Sequence, residues 1–210
     1  MKEKISPLLL KLVVLFTSCL IISNILANRL IEVGSWSIDA GILLFPVTYV
    51  LSDVFSEVYG YKWSRRVTMW AASMNLLFAV LVAVTNVLPA PDYFDAEPFK
   101  LALGGSFRIV AASLVSYVVG DLVNDLVFRR MRRGKRVMDG FMRRALVSSL
   151  VGQLVDSALF VTIAFAGTMP VVDLVNMGVL GVISKVGYEI VILPVTNRIT
   201  KAIHAKEQNF

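Results

Sequence analysis

Four otherwise apolar stretches of this chain each carry two polar side chains one helical turn apart. The pairs are Asp53 with Glu57, Asp121 with Asp125, Gln153 with Asp156, and Lys185 with Glu189. Spacings of three or four residues put both members of a pair on one helix face. An ionisable side chain inside a bilayer costs roughly 2.5–3.5 kcal/mol even on lenient insertion scales. Asp53, Glu57, Asp121, Asp125, Asp156 and Glu189 against a single intramembrane lysine is more charge than packing requires. A polar cavity shared by these groups is the expected arrangement, and it is the candidate functional site. Such acids can accept hydrogen bonds from a ligand, carry protons or neutralise a cation. A carboxylate accepts two parallel N–H bonds, the edge that guanine presents through its ring N–H and amino group, and an amide such as Gln153 can donate to a ring carbonyl. Phe45, Tyr49, Tyr117 and Phe160 supply faces for stacking. Nothing in the spacing alone selects a purine over another polar solute.

The elements that hold these residues follow from composition. The chain has 210 residues and is 57% hydrophobic, with mean hydropathy +0.73, above the apolar share of about 45–50% in soluble domains. The excess comes in blocks of about 20 residues, the length that crosses roughly 30 Å of hydrocarbon. Spans are expected near 8–28, 41–59, 67–89, 108–128, 145–167 and 172–195. The expected fold is therefore an all-α polytopic integral membrane protein with six transmembrane helices, residues 1–210 forming one membrane transport domain. The first span has a basic start at Lys2 and Lys4, but its apolar region is long and no small-residue cleavage site follows. It is read as a retained helix.

The positive charges are placed unevenly. The 21 Lys and Arg fall mainly at the N-terminus, in 60–66, in 129–144 and in the C-terminal tail. Arg29, Lys100 and Arg108 lie on the other side, and Lys185 lies within a span. An even number of spans with this bias puts both termini in the cytoplasm of a multi-pass inner (plasma) membrane protein. The block from Arg129 to Arg136 sits between two spans, where it reads as a topology signal touching anionic lipid rather than as a nucleic-acid site.

Along the chain, Asn24 and Asn28 stand one turn apart at the outer end of the first helix, where either could bond a neighbouring helix or a ligand. The run from Leu30 to Asp39 alternates around Gly34-Ser35, which suggests a short outer hairpin between helices 1 and 2. Pro46 breaks the second helix or starts it late. One face then reads Phe45, Tyr49, Ser52, Asp53, Ser56, Glu57: aromatic, hydroxyl and carboxylate on one stripe, suited to a ligand wall. The third span is nearly all apolar, with Asn75 its notable polar residue, and is expected to be lipid-facing scaffold. The fourth carries the stripe Ser113, Tyr117, Gly120, Asp121, Asn124, Asp125, Phe128, expected to be buried. The fifth repeats the arrangement with Ser149, Gly152, Gln153, Asp156 and Phe160. In the sixth, Gly181 and Ser184 are expected to let backbones approach near Lys185 and Glu189. No convincing internal repeat stands out. Lys185 is expected to pair with Glu189 or Asp156.

Other chemistries are poorly supplied. Cys19 is the one cysteine and His204 the one histidine, so no disulfide, thiolate metal cluster or His/Cys zinc or haem site is expected, and no cofactor is implied. Two membrane aspartates can form a hydrolytic dyad by sharing a proton. Asp121 and Asp125, however, share one helix, whereas a dyad draws one Asp from each of two facing segments. Asp53 with Asp121 is the remaining combination.

Three motifs resemble a known family. They are the run Phe45 to Gly60 with its Asp and Glu one turn apart, the stretch Arg144 to Ser157 containing Val151-Gly152-Gln153-Leu154-Val155-Asp156, and Lys185-Val186-Gly187-Tyr188-Glu189 followed by Pro194. Their order, the chain length and the basic fourth loop resemble the vitamin uptake transporter family, also called the queuosine-precursor transporters. The resemblance implies import of 7-cyano- and 7-aminomethyl-7-deazaguanine across the inner membrane, without enzymatic turnover. It implies that Asp53, Glu57, Gln153, Asp156, Lys185 and Glu189 form the substrate site. Asn24, Asn28, Phe45, Tyr49 and Asp121 join them from the reading of the residues. The expected partners are a small deazapurine, the lipid bilayer and no nucleic acid, and a homodimer is reasonable for a protein of this size. Two rival readings are a substrate-binding subunit of an energy-coupling-factor transporter and an intramembrane aspartyl hydrolase.

Overall fold

The computed structural model describes residues 6–132 and 141–207. Helix α1 (Pro7–Leu26) starts where Ser6 caps it: the Ser6 hydroxyl accepts the Leu9 N–H at 3.0 Å, and Pro7 takes the first turn, where no N–H is needed. A two-stranded hairpin follows, β1 (Leu30–Val33) and β2 (Trp36–Asp39), as expected around Gly34-Ser35. Gly34 closes the turn with φ +67°, a conformation that side chains with a Cβ rarely adopt. Asp39 then caps a 3-10 turn (Ala40–Leu43), its carboxylate accepting the Gly41 N–H at 3.0 Å.

The second apolar stretch is broken rather than one long helix. Helix α2 (Phe45–Val54) carries Pro46 in its first turn. The chain widens into a π-helical turn at Phe55–Tyr59 and ends on Gly60 at φ 82°. Then come α3 (Tyr61–Val87), the short α4 (Glu97–Leu103), α5 (Ser106–Arg132), α6 (Phe141–Phe165) and α7 (Val171–Glu207), which continues through Pro194. Among the described residues five helical segments are long and apolar enough to cross a bilayer: Pro7–Leu26, Tyr61–Val87, Glu97–Met131, Val147–Phe165 and Val171–Tyr188. The region expected as a second span, 41–59, has an α-helical part of only 10 residues, about 15 Å at 1.5 Å per residue.

The described chain divides into two compact units. The first comprises α1, the 3-10 turn, α2 with its π turn, α3, α4, the first residues of α5 and the part of α7 from Gly187 on. Its core joins Leu9 and Phe16 of α1, Leu51 of α2, Phe55 of the π turn, and Val67 and Ala71 of α3. Phe16 and Phe55 meet edge to face with ring centroids 5.6 Å apart. The N-terminal halves of α1 and α3 thus meet the C-terminal end of α2, so α1 and α3 run parallel and α2 runs against both. In lipid such contacts stabilise by dispersion and close fit, because the acyl chains are as apolar as the side chains. The buried face of α3 reads Ser64, Val67, Ala71, Asn75, Ala79, Val82, a helical stripe of mostly small residues. Asn75 is only 1% exposed, which corrects the expectation that this helix is plain lipid-facing scaffold.

The second unit comprises the hairpin, α5 from Arg108, α6, and α7 up to Val186. Here α5 and α6 cross in close contact. A Cβ placed on Gly120 would lie 2.8 Å from Asp156 Cβ and 3.0 Å from the Gly152 carbonyl oxygen. One on Gly152 would lie 2.8 Å from Asn124 Cβ and 3.0 Å from the Gly120 carbonyl oxygen. Near the start of α5, Arg108 donates from Nε to the Ile163 carbonyl and from Nη2 to the Ala166 carbonyl, each at 2.6 Å. These are carbonyls at the C-terminal end of α6, which have no intrahelical partner and favour a cation. The glycine expected to permit close approach in α7 does not do so: nothing lies within 4 Å of a Cβ on Gly181.

Candidate functional site

In the second unit, one ion pair anchors the site. Lys185 on α7 donates from Nζ to Asp156 Oδ2 at 2.5 Å and to the Ser157 hydroxyl at 3.1 Å. The two charged side chains are 20% and 25% exposed, and Ser157 is buried. Of the two partners expected for Lys185, the structure selects Asp156; the side chain of Glu189 lies outside the described residues. The choice follows from α6 geometry. Gly152 brings α5 close, and one turn later Asp156 emerges beside that crossing, where α7 can reach it. Gln153 precedes Asp156 by three residues on the same helix, half-buried, with its amide oxygen shielded from solvent.

Asp121 is exposed and Tyr117 is 55% exposed, which corrects the expected burial of the whole α5 stripe. Among the described residues of α5, Ser106, Ile109, Val110, Ala112, Ser116 and Gly120 are buried, and at Gly120 α6 comes close. Asp121 follows Gly120 by one residue and is therefore turned about 100° away. The side chains of Asp125 and Phe128 lie outside the described residues.

In the first unit, the α2 stripe forms but faces away from the unit's core. The core side of α2 is Pro46, Thr48, Val50, Leu51 and Val54. Asp53, Ser56 and Glu57 are exposed and Tyr49 is 39% exposed. Phe45 and Tyr49 stack with centroids 6.3 Å apart and planes 19° from parallel. The π turn contains Glu57 itself; such turns insert an extra residue into the helical spacing and recur at functional sites. Ser56 donates to the Ser64 hydroxyl at 2.9 Å, tying the π turn to the first turn of α3.

Asn24 and Asn28 belong to the same unit and donate hydrogen bonds within it. Asn24 is 1% exposed and donates to the Leu20 carbonyl at 3.0 Å. Asn28 donates to the Asn24 and Ile25 carbonyls and to the Ser106 hydroxyl, each at 3.1 Å. Beside them the Ser23 hydroxyl donates to the Gly41 carbonyl at 2.9 Å. The amide oxygens of Asn24 and Asn75 are both buried without a hydrogen-bond partner. Sequence reasoning passed over Asn75 as a site residue. The signal was its place between Ala71 and Ala79, four residues to either side, on a face of small residues.

Of the residues expected to form the site, the structure thus joins Lys185 to Asp156 directly and sets Gln153 beside them. Asp53, Glu57, Phe45, Tyr49, Asn24 and Asn28 sit in the other unit. Arg108 and Asp39 emerge as positioning residues that no motif announced.

The family described as "Putative vitamin uptake transporter" matches residues 39–199, which include α2, the α5–α6 crossing and Lys185. The "Queuosine precursor transporter" of Escherichia coli K12 is 24% identical over 144 residues, 68% of this chain and 62% of that protein. The "Probable queuosine precursor transporter" of Haemophilus influenzae is 27% identical over 126 residues, 60% of this chain and 51% of that protein. The Bacillus subtilis protein of the same description is 23% identical over 153 residues, 70% of this chain and 65% of that protein. The match therefore spans about half to two thirds of these relatives. No solved structure matches the chain. With the family match running through most of its length and over its intramembrane ion pair, this chain belongs to the vitamin uptake transporter family.

Proposed function

We propose that this protein is a non-enzymatic carrier of queuosine precursors, importing 7-cyano- or 7-aminomethyl-7-deazaguanine across the inner membrane through a cavity lined by acidic residues. The broken stretch 41–59 would complete six spans, with both termini cytoplasmic. The observation that carries the reading is the Lys185–Asp156–Ser157 constellation on apolar helices. A charged pair at such a place costs free energy that packing does not return. The names of the relatives supply the substrate class.

In this reading a carboxylate reads the guanine-like edge and Gln153, on the same helix as Asp156, donates to the ring carbonyl. A further acid meets the ammonium of the aminomethyl form. Each assignment matches what the side chain can donate or accept. Asp156, held by Lys185, is the candidate acid of the second unit, and Asp53 and Glu57 are the candidates of the first.

The test is binding of radiolabelled 7-aminomethyl-7-deazaguanine to the purified protein, with guanine and an unrelated vitamin as competitors. Saturable binding that the vitamin does not displace and that Asp53→Asn removes supports the reading. Stable, monodisperse protein that binds nothing refutes it for the isolated chain. Restoration of binding by an added coupling subunit would then select the energy-coupling-factor alternative.

A further inference from the structure

The α5–α6 crossing is reciprocal to within a tenth of an ångström. Gly120 meets Asp156 Cβ, the Gly152 carbonyl oxygen and Asp156 Cα at 2.8, 3.0 and 3.4 Å. Gly152 meets Asn124 Cβ, the Gly120 carbonyl oxygen and Asn124 Cα at 2.8, 3.0 and 3.5 Å. That reciprocity exposes a sequence repeat which the chain-level reading passed over. The pattern Leu-Val-Ser-x-x-Val-Gly-x-Leu-Val-x-x-x-x-Phe begins at Leu114 and begins again at Leu146. Equivalent positions are buried alike, Ser116 and Ser148 each to 2% exposure.

On α5 the contact runs from Gly120 to Asn124, while on α6 it runs from Asp156 back to Gly152, so the helices are antiparallel. Two antiparallel helices interchange by a two-fold rotation about an axis perpendicular to both and to the line joining them. Such a rotation keeps each residue on its own face of the pair and inverts its height. Asn124 is thereby the two-fold mate of Asp156, on the same face and one turn away, about 6 Å along the helix. Lys185 contacts this face, because it reaches Asp156. A lysine side chain is about long enough to sweep one helical turn. By sequence the repeat sets an amide, Asn124, where α6 has the carboxylate Asp156. Asp156-Ser157 on α6 corresponds to Asn124-Asp125 on α5, one carboxylate and one neutral polar group in each.

We propose that Lys185 is a mobile charge that exchanges between Asp156 and the two-fold related Asn124, which makes Asn124 a second positioning residue of the site. The Asp156 station is occupied in this structure. When Lys185 moves to Asn124, Asp156 is released to a solute carrying an ammonium group or paired N–H donors. Ligand and lysine then compete for one carboxylate, and the inverted α5–α6 pair offers the two heights at which the exchange occurs. The geometry stands on its own; the purpose of the exchange rests on the transport reading above.

Two experiments separate these levels. The first is cross-linking in native membranes on a Cys19→Ser background, with a bifunctional thiol reagent about as long as a lysine side chain. The pair Asp156→Cys/Lys185→Cys should link, and Asn124→Cys/Lys185→Cys should link with comparable yield. Leu122→Cys/Lys185→Cys, with Leu122 on an exposed face, should not. Linking at Asp156 without linking at Asn124 overturns the proposal, as does equal linking at Leu122 or failure at Asp156. This assay needs no substrate, so its outcome is independent of what the protein carries.

The second is charge rescue. Asp156→Asn should lower uptake roughly tenfold, because it leaves the Lys185 ammonium without its carboxylate. Adding Asn124→Asp should recover roughly threefold or more of it, a non-additive coupling between the two positions. A double variant that reaches the membrane in native amount and transports no better than Asp156→Asn refutes the exchange. Absence of uptake in the unaltered protein refutes the carrier reading instead and leaves the cross-linking result standing.

Discussion

Lys185 is the residue on which stability and site geometry meet. Its ammonium has the Asp156 carboxylate at 2.5 Å and the Ser157 hydroxyl at 3.1 Å. Removing one partner leaves an uncompensated charge; a fully buried pair would lose about 3–5 kcal/mol, and this part-buried one should lose less. Lys185→Met should therefore unfold in detergent at clearly lower temperature and accumulate poorly. Lys185→Met/Asp156→Asn, which removes both charges, should recover most of that loss. Thermal unfolding of the three proteins checks this, and a double variant no more stable than the single one would show that the pair is not the cause. Arg108 makes a second residue-scale case. Arg108→Gln removes the positive charge and at least one of two hydrogen bonds to the end of α6, and should cost about 1.5–3 kcal/mol. None of this chemistry distinguishes Arg108 in the sequence, where it reads only as a basic residue at a span end.

Helices α5 and α6 come into close contact at Gly120 and Gly152, where they lack side chains. A methyl group on Gly152 would lie 2.8 Å from Asn124 Cβ and 3.0 Å from a backbone oxygen. Neither neighbour can yield without moving its helix. Gly152→Ala and Gly120→Ala should each cost about 1–3 kcal/mol through overpacking, and their combination should cost less than the sum because they act at one crossing. Gly181→Ala is the control. It has open space around it and should stabilise by up to about 1 kcal/mol through helix propensity. Unfolding temperatures that rank Gly181→Ala with the other two would remove the crossing from the account. The distinction between these glycines was invisible along the chain, since Gly120, Gly152 and Gly181 all sit on small-polar stripes. On α2 the stripe was legible, because helical spacing placed Phe45, Tyr49, Asp53 and Glu57 together and Pro46 began the helix where expected. The π turn was not, since nothing in the local residue types distinguishes it from α-helix.

For the whole molecule, the proposed orientation, with both termini cytoplasmic, rests on the basic segments at 60–66 and 129–144 against Arg29, Lys100 and Arg108. A reporter active only in the cytoplasm should work when fused after residue 210 and fail within residues 90–96. The reverse pattern would invert the membrane orientation. Asp53→Asn and Glu57→Gln should each lower uptake while leaving membrane insertion intact, because their side chains lie outside the core of their own unit. Unchanged uptake in both would take α2 out of the site.

By itself the sequence determined that the chain is apolar in helix-length blocks, that a hairpin turns at Gly34, and that acids on helix faces are its unusual chemistry. Those properties depend on residue type and on spacings of two to four, which the chain displays directly. It also carried the family motifs over α2, α6 and α7. Only the tertiary structure decided that Lys185 pairs with Asp156, that Asn75 is buried, and that Gly120 and Gly152 are the close approach while Gly181 is not. It alone singled out the repeat between α5 and α6, through the reciprocity of their contact. The physical reason is that pairing and close packing are properties of two helix faces at once. A face read along one helix specifies what it can bond, and its neighbour decides what it does bond.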